Sequence, residues 1–243
     1  MIRVKTTQYI ENKLNRLPKG YIFTYEDFVT EVNKREAIIK SLNRMVAKGT
    51  LSKLSKGKYY KPEQSVFGVL EPEQDQIVKD LVEKDGKLIG YVTGYGIYNR
   101  LGLTTQVSAV IQIGRNETRP ALKRGRYKIS FVKQKNNITK ENIPLLQVLD
   151  AIRYIKKIPD ANTTDSCRRL SVIIKDLTID QKDKMVKLAK KYPPSTRALL
   201  GAILESVTGD KNMILHKSLN PITTYKLNID SNLLSTLSNW YIR

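Results

Sequence analysis

Residues 34–62, KREAIIKSLNRMVAKGTLSKLSKGKYYKP, decide how this chain is read. Ile38, Leu42 and Met45 recur at helical spacing, which predicts a helix over about 34–48 with one buried stripe. Gly49 stands where a left-handed residue ends a helix. Beyond it, 51–54 and 58–61 read as two short strands around Ser55-Lys56-Gly57, and Pro62 closes the ribbon. Leu51, Leu54 and Tyr59 are the expected inward residues. Their spacing is not strictly alternating, which predicts a bulge near Lys53.

The residues upstream complete the pattern. Ile10, Leu14 and Leu17 fall at i, i+4 and i+7, a helix stripe that stops at Pro18-Lys19-Gly20. In the following IFTYEDFVTEV, Thr24 precedes Asp27 by three residues, a weaker form of the capping box. Tyr25, Phe28 and Val32 give a short second helix its apolar side, and Asn33 is placed to cap the third. Helix, helix, helix and hairpin within residues 1–62 make a winged helix-turn-helix. The third helix, about 15 residues or roughly 22 Å long at 1.5 Å per residue, is long enough to lie in a major groove.

Charge says what such a unit faces. The 243 residues carry a formal net charge of +20, which opposes compaction and favours a polyanionic partner, nucleic acid before a membrane surface. Between Lys34 and Lys61 stand nine lysines and arginines and one acid, Glu36, a local net of +8. With Ile38, Leu42 and Met45 turned inward, Lys40, Asn43 and Ala47 point outward and Arg44 flanks them. Lys34 and Arg35 occupy the first turn, the end that meets base edges in a helix-turn-helix. Cations there oppose the helix dipole, so an anionic ligand explains them better than helix stability does. Lys53, Lys56 and Lys58 on the ribbon are the expected phosphate contacts. A protein-binding winged helix with a merely lysine-rich surface is the competing reading.

Residues 63–243 read as a larger mixed α+β domain with a helical C-terminal part. A turn at Glu71-Pro72 leads into an expected helix, EQDQIVKDLVEKDG, ended by Gly86. A helix over 93–101 and strands over 107–113 and 125–133 follow. Helices are expected over 143–157, 165–174, 178–191 and 194–207. Tyr225, Leu227 and Ile229 alternate before a last short helix around Leu233 and Leu237. Arg168, Arg169, Lys175, Lys182, Lys184, Lys187, Lys190 and Lys191 form a second basic cluster. It is either a solvated face or a second surface for nucleic acid or an acidic protein.

Several function classes find no residues to carry them. One cysteine, Cys167, and one histidine, His216, are too few for a Cys/His zinc site or an internal disulfide. Gly90, Gly94 and Gly96 suggest a phosphate loop, but a dinucleotide fingerprint would need glycine where Asn99 stands, and no Gly-Lys-[Ser/Thr] follows. Glycines that allow a tight strand-to-helix turn explain them better. Asp165, Asp176, Asp180 and Asp183 are expected to cap helices and pair on the surface. The expectation is therefore a non-enzyme without cofactor or metal. The first residues carry no apolar secretory segment and no apolar run approaches the ~18 residues of a membrane span. A cytoplasmic protein that does not enter the membrane is expected.

Two segments carry a resemblance. GTLSKLSKGKYYKP, a wing ending in Gly-Lys-Tyr-Tyr-x-Pro, resembles the N-terminal domain of AbiEi-type antitoxins of abortive-infection, type IV toxin–antitoxin systems. RLGLTTQVSAVIQIGRN, residues 100–116, resembles that family's second-domain signature, Leu-Gly-Leu-(Ser/Thr)-Thr-Gln-Val. The resemblance implies a bacterial or archaeal protein encoded beside a nucleotidyltransferase-like toxin. It implies a winged helix that binds double-stranded DNA at promoter inverted repeats and represses its own operon. It also implies a C-terminal domain that opposes the toxin without a stable complex. The matching DNA-contact positions are Lys34, Arg35, Lys40, Asn43, Arg44, Lys53, Lys56 and Lys58. A stand-alone regulator whose second domain senses a ligand or protein is the alternative. An enzyme of nucleic-acid metabolism that docks through the winged helix is the third.

Overall fold

The computed structural model describes residues 6–29, 35–66 and 68–243. They form two compact units. One comprises Met1–Asp80 with Lys123–Tyr127, the other Leu81–Leu122 with Lys128–Arg243.

The first unit is a winged helix-turn-helix. Helix α1 (Thr6–Arg16) is followed by the short strand β1 (Ile22–Phe23) and a 3-10 turn, Tyr25–Phe28. The expected second helix is only that turn, and its Thr24/Asp27 capping box is fully formed. Val32 and Asn33, named above for this helix and for the next cap, lie outside the described residues. Helix α2 (Arg35–Ala47) is the third helix of the pattern. It ends in a Schellman motif: Gly49 adopts φ 75° and donates to Val46, while Thr50 donates to Met45.

The wing pairs β2 (Ser52–Ser55) with β3 (Lys58–Tyr60), and β1 adds to β3 in the sheet order β1-β3-β2. The register shifts between Lys53 and Ser55, so the bulge lies where the uneven spacing placed it. Gly57, at φ 75°, makes the two-residue turn at the tip. Ile10, Leu14, Phe23, Phe28, Ile38, Leu42, Met45, Leu51 and Tyr59 form one core, with Phe23 edge-on to Phe28 at 5.3 Å.

This unit does not stop at Pro62. It runs on through the hairpin β4 (Glu63–Ser65) and β5 (Gly68–Leu70) and helix α3 (Gln74–Ile77). The expected boundary at 62/63 therefore falls inside it. Charge ties the later residues in. Arg124, nearly buried, meets Asp80 through both guanidinium nitrogens at 2.5 and 2.8 Å, and Lys58 meets the same carboxylate at 3.0 Å.

The helix expected to run to Gly86 is interrupted. Helix α4 (Lys79–Val82) gives way to a hairpin of β6 (Glu83–Lys84) and β7 (Lys87–Leu88). Asp85 and Gly86 both have positive φ, 51° and 73°, the two central residues of a type I′ turn. That local signal overrides the helical periodicity before it.

The second unit joins a small sheet to a helical body. Strands β8 (Gly90–Thr93), β9 (Val110–Arg115), β10 (Leu122–Arg124) and β11 (Tyr127–Lys133) follow along the chain; within the second unit the order is β11-β9-β8, and Lys123 and Arg124 of β10 belong to the first unit. The pair β9–β11 is parallel and β8–β9 antiparallel. Helices α6 (Ile143–Arg153), α7 (Thr163–Lys175), α8 (Ile179–Ala189) and α9 (Pro194–Thr208) surround one large core. Helix α10 (Met213–His216) and a 3-10 turn (Leu237–Trp240) follow. The tail expected as an alternating strand makes only a single bridge, Tyr225 with Ile242. Its Trp240 lies against Gly201 of α9, where an added Cβ would stand 2.1 Å from the indole ring.

Candidate nucleic-acid interface

Helix α2 divides cleanly. Ile38, Ser41, Leu42 and Met45 are buried, while Arg35, Lys40, Asn43 and Arg44 are exposed. Arg35 lies over the Tyr25 ring at 4.6 Å, which holds the guanidinium at the start of the helix. Lys34 lies outside the described residues.

One hydrogen bond joins the helix to the wing. The Tyr59 hydroxyl donates to Asn43 Oδ1 at 3.0 Å. Burial raises the Tyr59 hydroxyl pKa, so it stays a donor. Tyr59 stands opposite Lys53 in the β2–β3 register, and directly opposed residues share one face of a ribbon. Lys53 thereby shares the ribbon face from which Tyr59 reaches Asn43. Asn43 keeps its amide donors and one carbonyl lone pair, but its rotamer is set by Tyr59.

Lys40, Arg44, Lys53 and Lys56 pair with no carboxylate among the described residues. Lys58 differs. Its side chain is 18% exposed and bonded to Asp80, so among the described cations singled out in the sequence it is the one paired with an internal carboxylate. Burial raises the Asp80 carboxyl, but Arg124 and Lys58 together outweigh it and hold the group below its ordinary value of 3.8.

Three members of the second basic cluster are tied down. Arg168 pairs with Asp165, and Arg169 Nε donates to the Leu101 carbonyl at 2.9 Å. Lys182 donates to the carbonyls of Lys175 and Leu177 at 2.9 and 2.6 Å, closing the end of α7.

The LGLTTQV segment has a structural account of its own. It terminates helix α5 (Tyr95–Arg100). Gly102 at φ 70° donates to Asn99, and Leu103 donates to Tyr98, a second Schellman motif. Thr104 Oγ1 then donates to the Pro159 carbonyl at 2.8 Å. Gly94, φ 73°, faces Gln112 so closely that a Cβ would stand 1.8 Å from its amide oxygen. The glycine-rich run thus serves backbone approach.

Sequence reading missed a buried polar network in the second unit. Asp150, 1% exposed in the middle of α6, accepts from Tyr91 (2.7 Å), Thr93 (2.8 Å) and Tyr192 (2.9 Å). Gln134 Nε2 donates to both tyrosine hydroxyls at 2.8 Å. Burial pushes the Asp150 carboxyl up against the pull of the three hydroxyl donors. A carboxylate inside the apolar run IPLLQVLDAIR was the available signal. Among the described residues no group of three His, Cys, Asp or Glu side chains could hold a metal ion, and no helix is long and apolar enough to cross a membrane.

The chain belongs to a family of unknown function, DUF6088, whose model matches residues 9–185, from α1 into α8. No curated protein matches it. Among solved structures it is similar to the RV2827C protein from Mycobacterium tuberculosis. That crystal structure has a TM-score of 0.60 and 12% identity over 93% of this chain and 86% of that one. At such identity the likeness concerns the fold.

Proposed function

We propose that the protein is a cytoplasmic DNA-binding antitoxin of the AbiEi type. Its winged helix binds inverted repeats in the promoter of its own operon and represses it, and its second unit opposes a nucleotidyltransferase-like toxin. The observation that carries the DNA-binding part is the outer face of α2 with the wing. Arg35, Lys40, Arg44, Lys53 and Lys56 are exposed there and pair with no carboxylate among the described residues, and the Tyr59–Asn43 bond links the two elements. Lys53 and Lys56 supply phosphate contacts; Arg35, Lys40, Asn43 and Arg44 read base edges. The antitoxin part is supported by the resemblance of residues 49–62 and 100–116 to that family.

Two experiments test the reading separately. Mobility shifts of the full chain on DNA upstream of its gene should show a complex at low salt, and its absence there would end the DNA-binding assignment. Co-expression with the adjacent gene should relieve growth arrest if that gene encodes the toxin. Binding to promoter DNA without growth rescue would favour a regulator whose second unit senses a ligand.

A further inference from the structure

A cleft of about 370 Å³ in the second unit gathers four cations, Lys133, Lys135, Arg153 and Lys191, and no carboxylate lines it. They come from three places: the end of β11 and the residues after it, the last residue of α6, and the residues after α8. Two have partial internal explanations. Arg153 closes α6, where a cation complements the helix dipole, and lies over the Tyr154 ring at 5.0 Å. Lys191 donates to the Lys135 carbonyl at 3.2 Å. These contacts place the side chains but neutralise none of their charge. Lys133 and Lys135 have no anionic partner among the described residues.

The polar groups in the wall of the cleft are already satisfied. Gln134 and Tyr192 line it at 5% and 6% exposure, and their polar atoms are engaged in the Asp150 network. Pro193 and Pro194 complete it. They open the 15-residue helix α9, which has no side-chain cap at its N-terminus, so the positive end of that dipole adds to the four cations. Like charges held in a concave site raise the local potential and favour an anion. The volume falls in the range of small-molecule sites, ~300–1,000 Å³.

We propose that this cleft binds a small molecule carrying two or more phosphoryl groups. A free polyphosphate and a nucleoside polyphosphate share that chemistry. The site is separate from the winged helix and does not rest on the DNA-binding reading.

The test is calorimetric titration of the full chain, at low salt, with tripolyphosphate and separately with adenosine and guanosine triphosphates. Saturable one-to-one binding is expected. The Lys133→Gln/Lys135→Gln double variant, both positions being exposed, should weaken it about tenfold or more with an unchanged thermal melt. The wing variant Lys53→Gln/Lys56→Gln should bind as wild type. Equal affinity for tripolyphosphate and the nucleotides would mean the phosphates alone are read; tighter nucleotide binding would add the base to the site. No saturable binding by about 1 mM ligand would overturn the proposal. So would binding lost in the wing variant instead. Displacement of tripolyphosphate from the wing variant by unrelated duplex DNA would give the cleft to nucleic acid and overturn it too.

Discussion

Lys56 and Lys58 are two residues apart on the wing, yet only one is free to meet a phosphate. Lys56 stands exposed at the turn, whereas Lys58 is 18% exposed and bonded to Asp80 at 3.0 Å. Alanine at each position should therefore act on different quantities. Five exposed cations face outward from α2 and the wing: Arg35, Lys40, Arg44, Lys53 and Lys56. Of these, Lys53 and Lys56 are the phosphate contacts, and together they should contribute about −1.8 to the slope of log K against log salt, roughly 0.9 per phosphate. Lys56→Ala should lower that slope by about 0.9, which at about 0.15 M salt is about fivefold in affinity, equally for all sequences. Lys58→Ala should leave the slope unchanged. It should instead cost about 0.5–1 kcal/mol of stability, since Asp80 is half exposed and keeps Arg124. Fluorescence anisotropy across a salt series, with urea melts of each variant, measures both quantities. If Lys58→Ala reduced the slope as much as Lys56→Ala, the assignment of Lys58 to the internal ion pair would be wrong.

Tyr59→Phe should relax sequence preference while leaving the salt slope intact, because it frees the Asn43 rotamer without removing charge; binding-site selection reads this. Gly201→Ala would ordinarily gain about 1 kcal/mol inside a helix, but the 2.1 Å approach to Trp240 reverses the sign. Overpacking should destabilise by about 1–3 kcal/mol, and emission of this single tryptophan should shift to the red as the ring is displaced. Asp80 and Asp150 should give opposite pH dependences. The Asp80 carboxyl lies below 3.8 in the fold, so the unfolded chain binds more protons and its contribution, present above 3.8, is lost as pH falls further. Asp80→Asn should accordingly flatten the acid limb of a stability–pH curve. The Asp150 carboxyl is raised, so its contribution is greatest below 3.8 and declines as pH rises through the folded value.

Much of the winged helix was legible because local rules agreed with one another. The stripe of Ile38, Leu42 and Met45, the Gly49 cap, the Thr24/Asp27 box and the bulge near Lys53 each have a short-range cause that the chain states directly. Failures began where partners are distant in sequence. Nothing near Lys58 announces Asp80 or Arg124, so its charge looked free. Asp150 went unread because its partners Tyr91, Thr93 and Tyr192 come from a strand and a loop far along the chain. The helix expected over 73–86 failed for the opposite reason, since Asp85-Gly86 is a local hairpin signal that a longer periodic pattern obscured. The candidate DNA face was half legible. Exposure of its cations followed from the helix wheel, but the Tyr59–Asn43 bond that links helix and wing needed the fold.

The first unit takes Lys123–Tyr127 from far downstream, and Arg124 completes its Asp80 ion pair. During synthesis, at the usual ~5–20 residues per second, several seconds separate the emergence of Asp80 from that of Arg124. The winged helix is therefore not finished when its own contiguous sequence has left the ribosome. A chain that stalls or is cut before residue 123 carries the α2 face and the wing without the cation that closes their supporting ion pair. The quality of the N-terminal unit thus reports on whether translation has already passed into the sequence of the second.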